Sequence, residues 1–200
     1  MSAPIEFWFD FSSPYGYLMG ERIDALAQKH GRTVLWRPFL LGAVFKHTGG
    51  QPLPAHPMKG PYSRRDLERS ARFLGLPLTL PESFAVSAHQ ACRVFYWLDS
   101  RNPQLARDFA QAVFRAFFVE GRDITSMDVL GDIGEKLGIA REAVTGATAD
   151  DAVKTHLREV CEAAIAGNVF GSPFVIIDGE PFWGADRLPQ IERWLETGGF

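Results

Sequence analysis

Apolar residues crowd the start of the chain. Ile5, Phe7, Trp8, Phe9 and Phe11 form a run over 4–11 short and aromatic enough for a buried strand. The spacing then changes. Pro14 stands where a first helical turn tolerates a missing amide proton. Met19, Ile23, Leu26, Ala27 and His30 recur three and four residues apart, one face of a helix that Gly31 ends. The run TVLWRPF over 33–39 predicts a second strand, ended by Pro38. A β-α-β unit of this size implies a parallel strand pair joined by a right-handed crossover.

The pattern is then lost between 46 and 62, where four prolines and three glycines predict a long irregular loop, functional or disordered. Helical spacing returns with Ser63 and Asp66, which read as a capping box opening a helix to about Leu74. Two apolar helices follow over 88–100 and 104–119, separated by Asn102-Pro103. Ser126 opens another near 127–137, stopped by Gly138, and Thr148 with Asp151 caps one over 149–166 that Gly167 ends. In PFVIIDGEPFWG two apolar runs flank Asp178-Gly179, a strong hairpin signal. A last amphipathic helix carries Leu188, Ile191, Trp194 and Leu195 on one side. Strands at both ends bracket a block of helices. They must share one sheet, because neither set could bury both faces alone.

Composition narrows the class. Two hundred residues, 46% hydrophobic and 22% charged, suit a soluble globular domain, or one carrying an insertion. A net charge of −3 without a basic block argues against nucleic acid as a partner. No apolar run approaches the roughly 20 residues of a membrane span. The first residues, MSAPIEFWFD, lack the basic and apolar regions of a signal peptide. Cys92 and Cys161 are too few for a disulfide framework and suit a reducing compartment, so a cytoplasmic location is expected.

Few residues then remain as carriers of chemistry. The five histidines are scattered without metal-ligand spacing, so no metal is expected. His30 and His156 read as helix-surface residues, while His47 and His56 flank the proline-rich loop and could reach a pocket. The cysteines read as small buried hydrophobes. There is no G-x-S-x-G elbow and no P-loop, and GDIGEKLG (131–138) has its glycines on a helix. Two stretches stand out. Ser12-Ser13-Pro14-Tyr15-Gly16 lies at a strand-to-helix junction, where unpaired amide protons favour anything anionic. Ser172-Pro173 immediately precedes a strand. Each also has a plain explanation: a serine that only caps a helix, and a proline that only begins a strand.

Strand, turn, helix, strand, helical insertion, X-Pro, hairpin and helix is an order that resembles the thioredoxin fold of the DsbA type. That resemblance implies an α/β, thioredoxin-like fold with an inserted all-helical domain, the former from 1–40 and 148–200, the latter 41–147. Redox members carry C-P-x-C at the first turn, whereas Ser13-Pro14-Tyr15-Gly16 stands here, which removes dithiol exchange at that point. Serine at the first position resembles the kappa-class glutathione transferases and, more closely, the 2-hydroxychromene-2-carboxylate isomerases. FDFSSPYGYL, RPFLLGAVFKHTG, HPMKGPYSRRDLERSARFLGLPL, GNVFGSP and GEPFWGADRLPQIERWL are similar to that family's segments, in order.

The resemblance implies an enzyme with glutathione as cofactor and a small aromatic substrate, active in aromatic degradation and assembled as a homodimer. Its reaction would interconvert 2-hydroxychromene-2-carboxylate and a trans-o-hydroxybenzylidenepyruvate, the glutathione thiolate adding to a conjugated double bond and leaving after rotation. Ser13 would face the sulfur as catalytic residue, although Ser12 competes for that place. Ser172 would pair its backbone with the cysteinyl part of glutathione. Gly184, Ala185 and Asp186 would hold the γ-glutamyl end. Lys59 would face an anionic end of glutathione or substrate. Phe45 and Tyr62, with Phe11 and Tyr15, are candidates to line a pocket for an aryl ring, and are equally good core residues. Gly50 stands where relatives often place an asparagine. Conjugation of glutathione to electrophiles and a non-catalytic binding module are the alternative readings.

Overall fold

The computed structural model describes residues 3–82 and 85–200. Met1 and Ser2, part of the leader reading, lie outside the described residues. Strand β1 (Ile5–Phe9) runs parallel to β2 (Val34–Pro38), pairing Ile5 with Val34 and Phe9 with Pro38. On its other side β1 is antiparallel to β3 (Phe174–Ile177), which turns into β4 (Glu180–Trp183). The order β2-β1-β3-β4 places strands from both chain ends in one sheet, as the sequence pattern requires. β1 is central and accordingly the most aromatic. Pro181, without an amide proton, sits on the outer strand, where it costs no ladder bond. Asp178 and Gly179 both adopt positive φ (51° and 91°), the geometry that suits a two-residue hairpin.

The helical face expected from Met19 to His30 is broken into α1 (Pro14–Gly20) and α2 (Ile23–Lys29). Glu21 and Arg22 leave the helix between them because they hold other elements. The Glu21 carboxylate receives two 2.8 Å bonds from Arg115, and the Arg22 guanidinium donates to the Leu74 carbonyl. α1 buries Tyr17, Leu18 and Met19 against the sheet and against α6 (Pro103–Phe118). Phe7, Phe9, Phe11, Trp36, Phe114 and Phe118 meet there as stacked, edge-on and tilted rings. Gly20 lets α1 approach this cluster: a Cβ there would lie 3.2 Å from Trp36.

The proline-rich stretch departs from its expectation. Helix α3 (Leu41–Thr48) occupies its beginning, and Gly49 ends that helix at φ 71°. Helix α4 (Lys59–Leu74) starts four residues before the expected cap. His56 explains the early start, since its Nδ1 accepts from the amides of Met58 and Lys59 at 3.2 Å. Ser63 is already inside the helix, donating to the Gly60 carbonyl at 2.8 Å. Only the segment between, 49–58, remains loop with one short 3-10 turn (Leu53–Ala55).

Helices α5 (His89–Asp99) and α6 follow the sequence pattern, and Asn102 caps α6 by accepting from the Leu105 amide at 3.1 Å. α7 (Met127–Lys136) does too, but α8 (Arg141–Ala149) was not expected. It contains Thr148, whose hydroxyl donates within its own helix, to Thr145. The cap of α9 (Asp151–Ala166) is therefore Asp150, which accepts from Ala152 and Val153. Helix α10 (Leu188–Thr197) buries only Ile191 fully. No described helix is long and apolar enough to cross a membrane.

Candidate active site

The C-terminal end of β1 runs straight into the serine turn, and Asp10 holds that junction together. Its amide donates to Ser172 Oγ at 2.9 Å, and its carbonyl accepts from the Ser13 amide at 2.9 Å. Carboxylate oxygen Oδ1 accepts from both the amide and the hydroxyl of Ser12, each at 2.8 Å. Oxygen Oδ2 accepts from the Leu41 amide at 2.8 Å, the first residue of α3. All four polar atoms of one residue thus tie together the serine turn, the loop before β3 and the start of α3. Burial pushes the Asp10 carboxyl up from the ordinary carboxylate range, opposed by the hydrogen bonds from Ser12 and Leu41.

Ser13 is the N-cap of α1. Its Oγ accepts from the Gly16 amide at 3.1 Å and donates to the Ser172 carbonyl at 2.9 Å, across the cis peptide bond of Ser172-Pro173. The capping role and the pairing with the Ser172 loop therefore belong to the same atom. Gly16 matters for its size: a Cβ there would come within 3.1 Å of Ser172 Oγ and 3.3 Å of Ser13 Cβ. Where a redox relative would carry its second cysteine, this turn makes room for Ser172.

Above this floor opens a cavity of about 480 Å³. One wall is polar: Asp10, Ser12, Ser13 and Ser172. The opposite wall is apolar and comes from α3 and the loop after it, with Leu41, Phe45, Gly50, Pro52, Leu53 and Pro54. Helix α4 adds Ser63 and Leu67, and Phe170 and Trp183 form the rim. Their rings meet edge to face at 5.0 Å, and the Trp183 indole covers Gly171 so closely that a Cβ on that glycine would lie 2.2 Å from Nε1. Tyr15 also reaches the cavity. Its hydroxyl donates to Asp66 at 2.7 Å, and burial, then that bond, raise its pKa well above the ordinary phenol value. Among the described residues the lining holds one carboxylate, Asp10, and no lysine, arginine or histidine.

The structure thus brings Ser13, Ser172 and Phe45 together on one cavity, with Ser12 and Tyr15 beside them. Phe11 is buried in the core instead, completely shielded by the aromatic cluster. Tyr62 and Lys59 lie outside the lining; Tyr62 is 62% exposed and its hydroxyl accepts from Arg69 at 3.2 Å. Gly184, Ala185 and Asp186 form a turn next to the cavity, not in its lining. Gly184 takes φ 113°, its amide donates to the Pro173 carbonyl at 3.1 Å, and the Asp186 carboxylate folds back over it. Any larger residue at 184 would meet that carboxylate at 2.3 Å. His47 and His56 do not reach the cavity. Cys92 and Cys161 are free and buried, and burial raises both thiols, which leaves them protonated.

Three participants escaped the sequence reading. Asp10 carried a legible sign, an acidic residue at the end of an otherwise aromatic strand. Trp183 and Gly171 carried none, because their close approach depends on how the hairpin folds over the Ser172 loop.

Residues 4–196 match the family model of the DSBA-like thioredoxin domain. The chain is 32% identical to a 2-hydroxychromene-2-carboxylate isomerase of Pseudomonas putida, over 94% of this chain and 92% of that protein. It is 29% identical to glutathione S-transferase kappa 2 of Caenorhabditis elegans, over 96% and 91%. A solved 2-hydroxychromene-2-carboxylate isomerase structure superposes with a TM-score of 0.88 at 30% identity, covering 97% of this chain and 95% of that one.

Proposed function

Since this chain belongs to the 2-hydroxychromene-2-carboxylate isomerase family within the DSBA-like thioredoxin proteins, we propose that it is a glutathione-dependent isomerase of small aromatic substrates. The observation that carries the proposal is the cavity itself: serine hydroxyls at its floor, an apolar wall facing them, and no cysteine at either position of the turn. Such a floor suits a sulfur brought in by another molecule, and the apolar wall suits a ring. Glutathione would supply a thiol able to add reversibly to a conjugated double bond, the requirement for turning a ring-opened or cyclised hydroxychromene carboxylate into its isomer.

The chain's own residues would divide the work. Ser13 and Ser172 seat the sulfur between the serine turn and the loop before β3, and the free edge of that loop pairs with the cysteinyl backbone as a short added strand would. The turn at Gly184, Ala185 and Asp186 holds the γ-glutamyl end, with Asp186, a largely exposed carboxylate, opposite its ammonium group. Phe45, Leu53 and the Phe170–Trp183 rim exclude water from the reacting carbon and orient an aryl ring. No lysine or arginine stands in the described lining, so Lys59, outside it, would act on an anionic substrate only as a distant, salt-screened charge. Two unpaired, buried thiols fit a reducing compartment.

Glutathione transfer is the competing reading, supported by the kappa-class relatives that match over nearly the whole chain. The test offers glutathione with a hydroxychromene carboxylate and, separately, with a chlorinated dinitrobenzene. Isomerised product with glutathione recovered unchanged is the expected result. Stable conjugate without isomerisation would replace the proposal with the transferase reading, and the absence of glutathione binding in calorimetry would leave a non-catalytic module.

A further inference from the structure

The last helix of the chain is lightly held: α10 buries only Ile191 fully. An ion pair between Lys29 and Glu192 links it to α2, but the two side chains are 59% and 39% exposed and solvent weakens their attraction. Beside that pair lies a grouping of another kind. A ring nitrogen of His30, the residue that follows α2, and one carboxylate oxygen each of Glu192 and Glu196 all lie within 4.8 Å of one another. Among the described residues no other three histidine, cysteine or carboxylate groups converge in this way. The His30 Nε2 atom is buried and has no hydrogen-bond partner among the described residues. A buried polar nitrogen without a partner costs stability, and native structures carry few of them. His30 stands near the start of the sequence and the glutamates near its end. No spacing along the chain announces them, which is why the histidines read as scattered.

We infer that His30, Glu192 and Glu196 bind a divalent metal ion of the zinc class, which staples α10 to the end of α2. An imidazole nitrogen with two carboxylates suits Zn²⁺ and its transition-metal neighbours, whereas Mg²⁺ and Ca²⁺ take oxygen ligands. Glu192 and Glu196 are four residues apart on one helix, so both side chains project from the same face. Bond lengths of about 2.0–2.2 Å would set the ligand atoms roughly 3.4 Å apart around the ion. The glutamates are the adjustable partners: Glu196 is exposed and Glu192 partly so, and rotation of their side chains closes the difference. Coordination through His30 Nε2 gives that atom the partner it lacks. Lys29 holds Oε1 of Glu192 and leaves Oε2 for the ion, although its ammonium opposes a cation nearby. Water completes the coordination, as it does in other sites with three protein ligands. None of the three residues lines the cavity, so the inference is independent of the glutathione reading.

The test is calorimetric titration of the metal-free full chain with zinc chloride, without glutathione, followed by thermal unfolding of the same samples. Wild type is expected to bind one zinc per chain and to melt about 5 °C higher at saturating zinc. Magnesium chloride at the same concentration should leave the melting temperature unchanged. Cys92 and Cys161 are buried and become zinc ligands only on unfolding, so calorimetry below the transition is the primary reading. His30→Ala and Glu196→Gln should each lose roughly tenfold or more in zinc affinity. Glu196 is exposed, so Glu196→Gln keeps the fold and decides the matter where His30→Ala is unstable. Lys29→Gln removes the opposing charge and should tighten binding several-fold. A wild-type chain that takes up no zinc overturns the inference. So does stoichiometric zinc that persists undiminished in both His30→Ala and Glu196→Gln, since the ion then sits elsewhere. Magnesium stabilising as well as zinc overturns it too, because that is the behaviour of a plain carboxylate cluster.

Discussion

The two walls of the cavity are built on opposite principles. The serine wall is small and densely bonded: Asp10 alone ties together three segments distant in sequence, and Ser13 closes the link to the Ser172 loop. The facing wall has almost no such bonds. It is made of side chains and ring faces, from Leu41, Phe45 and the prolines after Gly50, with Thr48 holding the Gly50 amide at a long 3.4 Å. Hydrogen bonds fix atoms to tenths of an ångström, which a reacting centre requires. Apolar contact is non-directional and tolerates a change of shape, which suits choosing among substrates. A mutation should therefore damage stability or chemistry on the first wall and selectivity on the second.

The largest expected effect is at Asp10. Asp10→Ala strips the acceptors of two amides and one hydroxyl, and on the order of 3 kcal/mol of stability should be lost in urea unfolding. Asp10→Asn separates charge from shape. Because the folded pKa of Asp10 is raised, its contribution to stability is fully present below the ordinary carboxylate pKa and is lost as pH rises through the folded value. The advantage of wild type over Asp10→Asn should accordingly shrink as pH rises through that window. An advantage that grows with pH would mean that the charged carboxylate is what the fold prefers.

Next comes Gly171→Ala, on the rim. The added carbon would evict the Trp183 indole, an exposed ring that can swing away, so stability should change little. Tryptophan fluorescence should shift and glutathione affinity should fall roughly tenfold, about 1.4 kcal/mol. Gly50→Asn probes the apolar wall. Its Cβ would meet the Phe45 ring at 2.9 Å and Thr48 Oγ1 at 3.3 Å, so the ring must move. KM for aromatic substrates should change several-fold between ring sizes, with stability within about 0.5 kcal/mol. A uniform fall in kcat instead would make this wall part of the reacting centre. The smallest effect belongs to Lys59→Ala, outside the lining: under about twofold in kcat/KM, fading with added salt.

The sheet was legible because each of its signals is local. An aromatic strand, a turn with proline, and Asp-Gly between two apolar runs need no partner to be recognised. The misread helices share a cause, which is that the deciding atom came from elsewhere. Glu21 and Arg22 leave their helix to reach Arg115 and Leu74; Ser63 and Thr148 resemble caps but lie within helices begun by His56 and preceding Asp150. The site divides in the same way. Ser13 and Ser172 stand out through their prolines, and Phe45 only as one of several aromatics near the turn and the proline-rich loop. Asp10 as a hub of three segments is a property of topology, as is the Trp183 ring against Gly171.

The bare Cα of Gly16 has a consequence for redesign. Rebuilding a dithiol turn here takes cysteines at 13 and 16, yet a side chain at 16 arrives 3.1 Å from Ser172 Oγ, tighter than ordinary contact, and needs that oxygen to give by a few tenths of an ångström. Ser172 is held by the Asp10 amide, so the shift propagates into the hub. Installing a dithiol thus involves at least three positions, 13, 16 and 172, with the single steps strained. Gly16 and Ser172 therefore constrain each other: neither position accepts a larger side chain unless the other gives way.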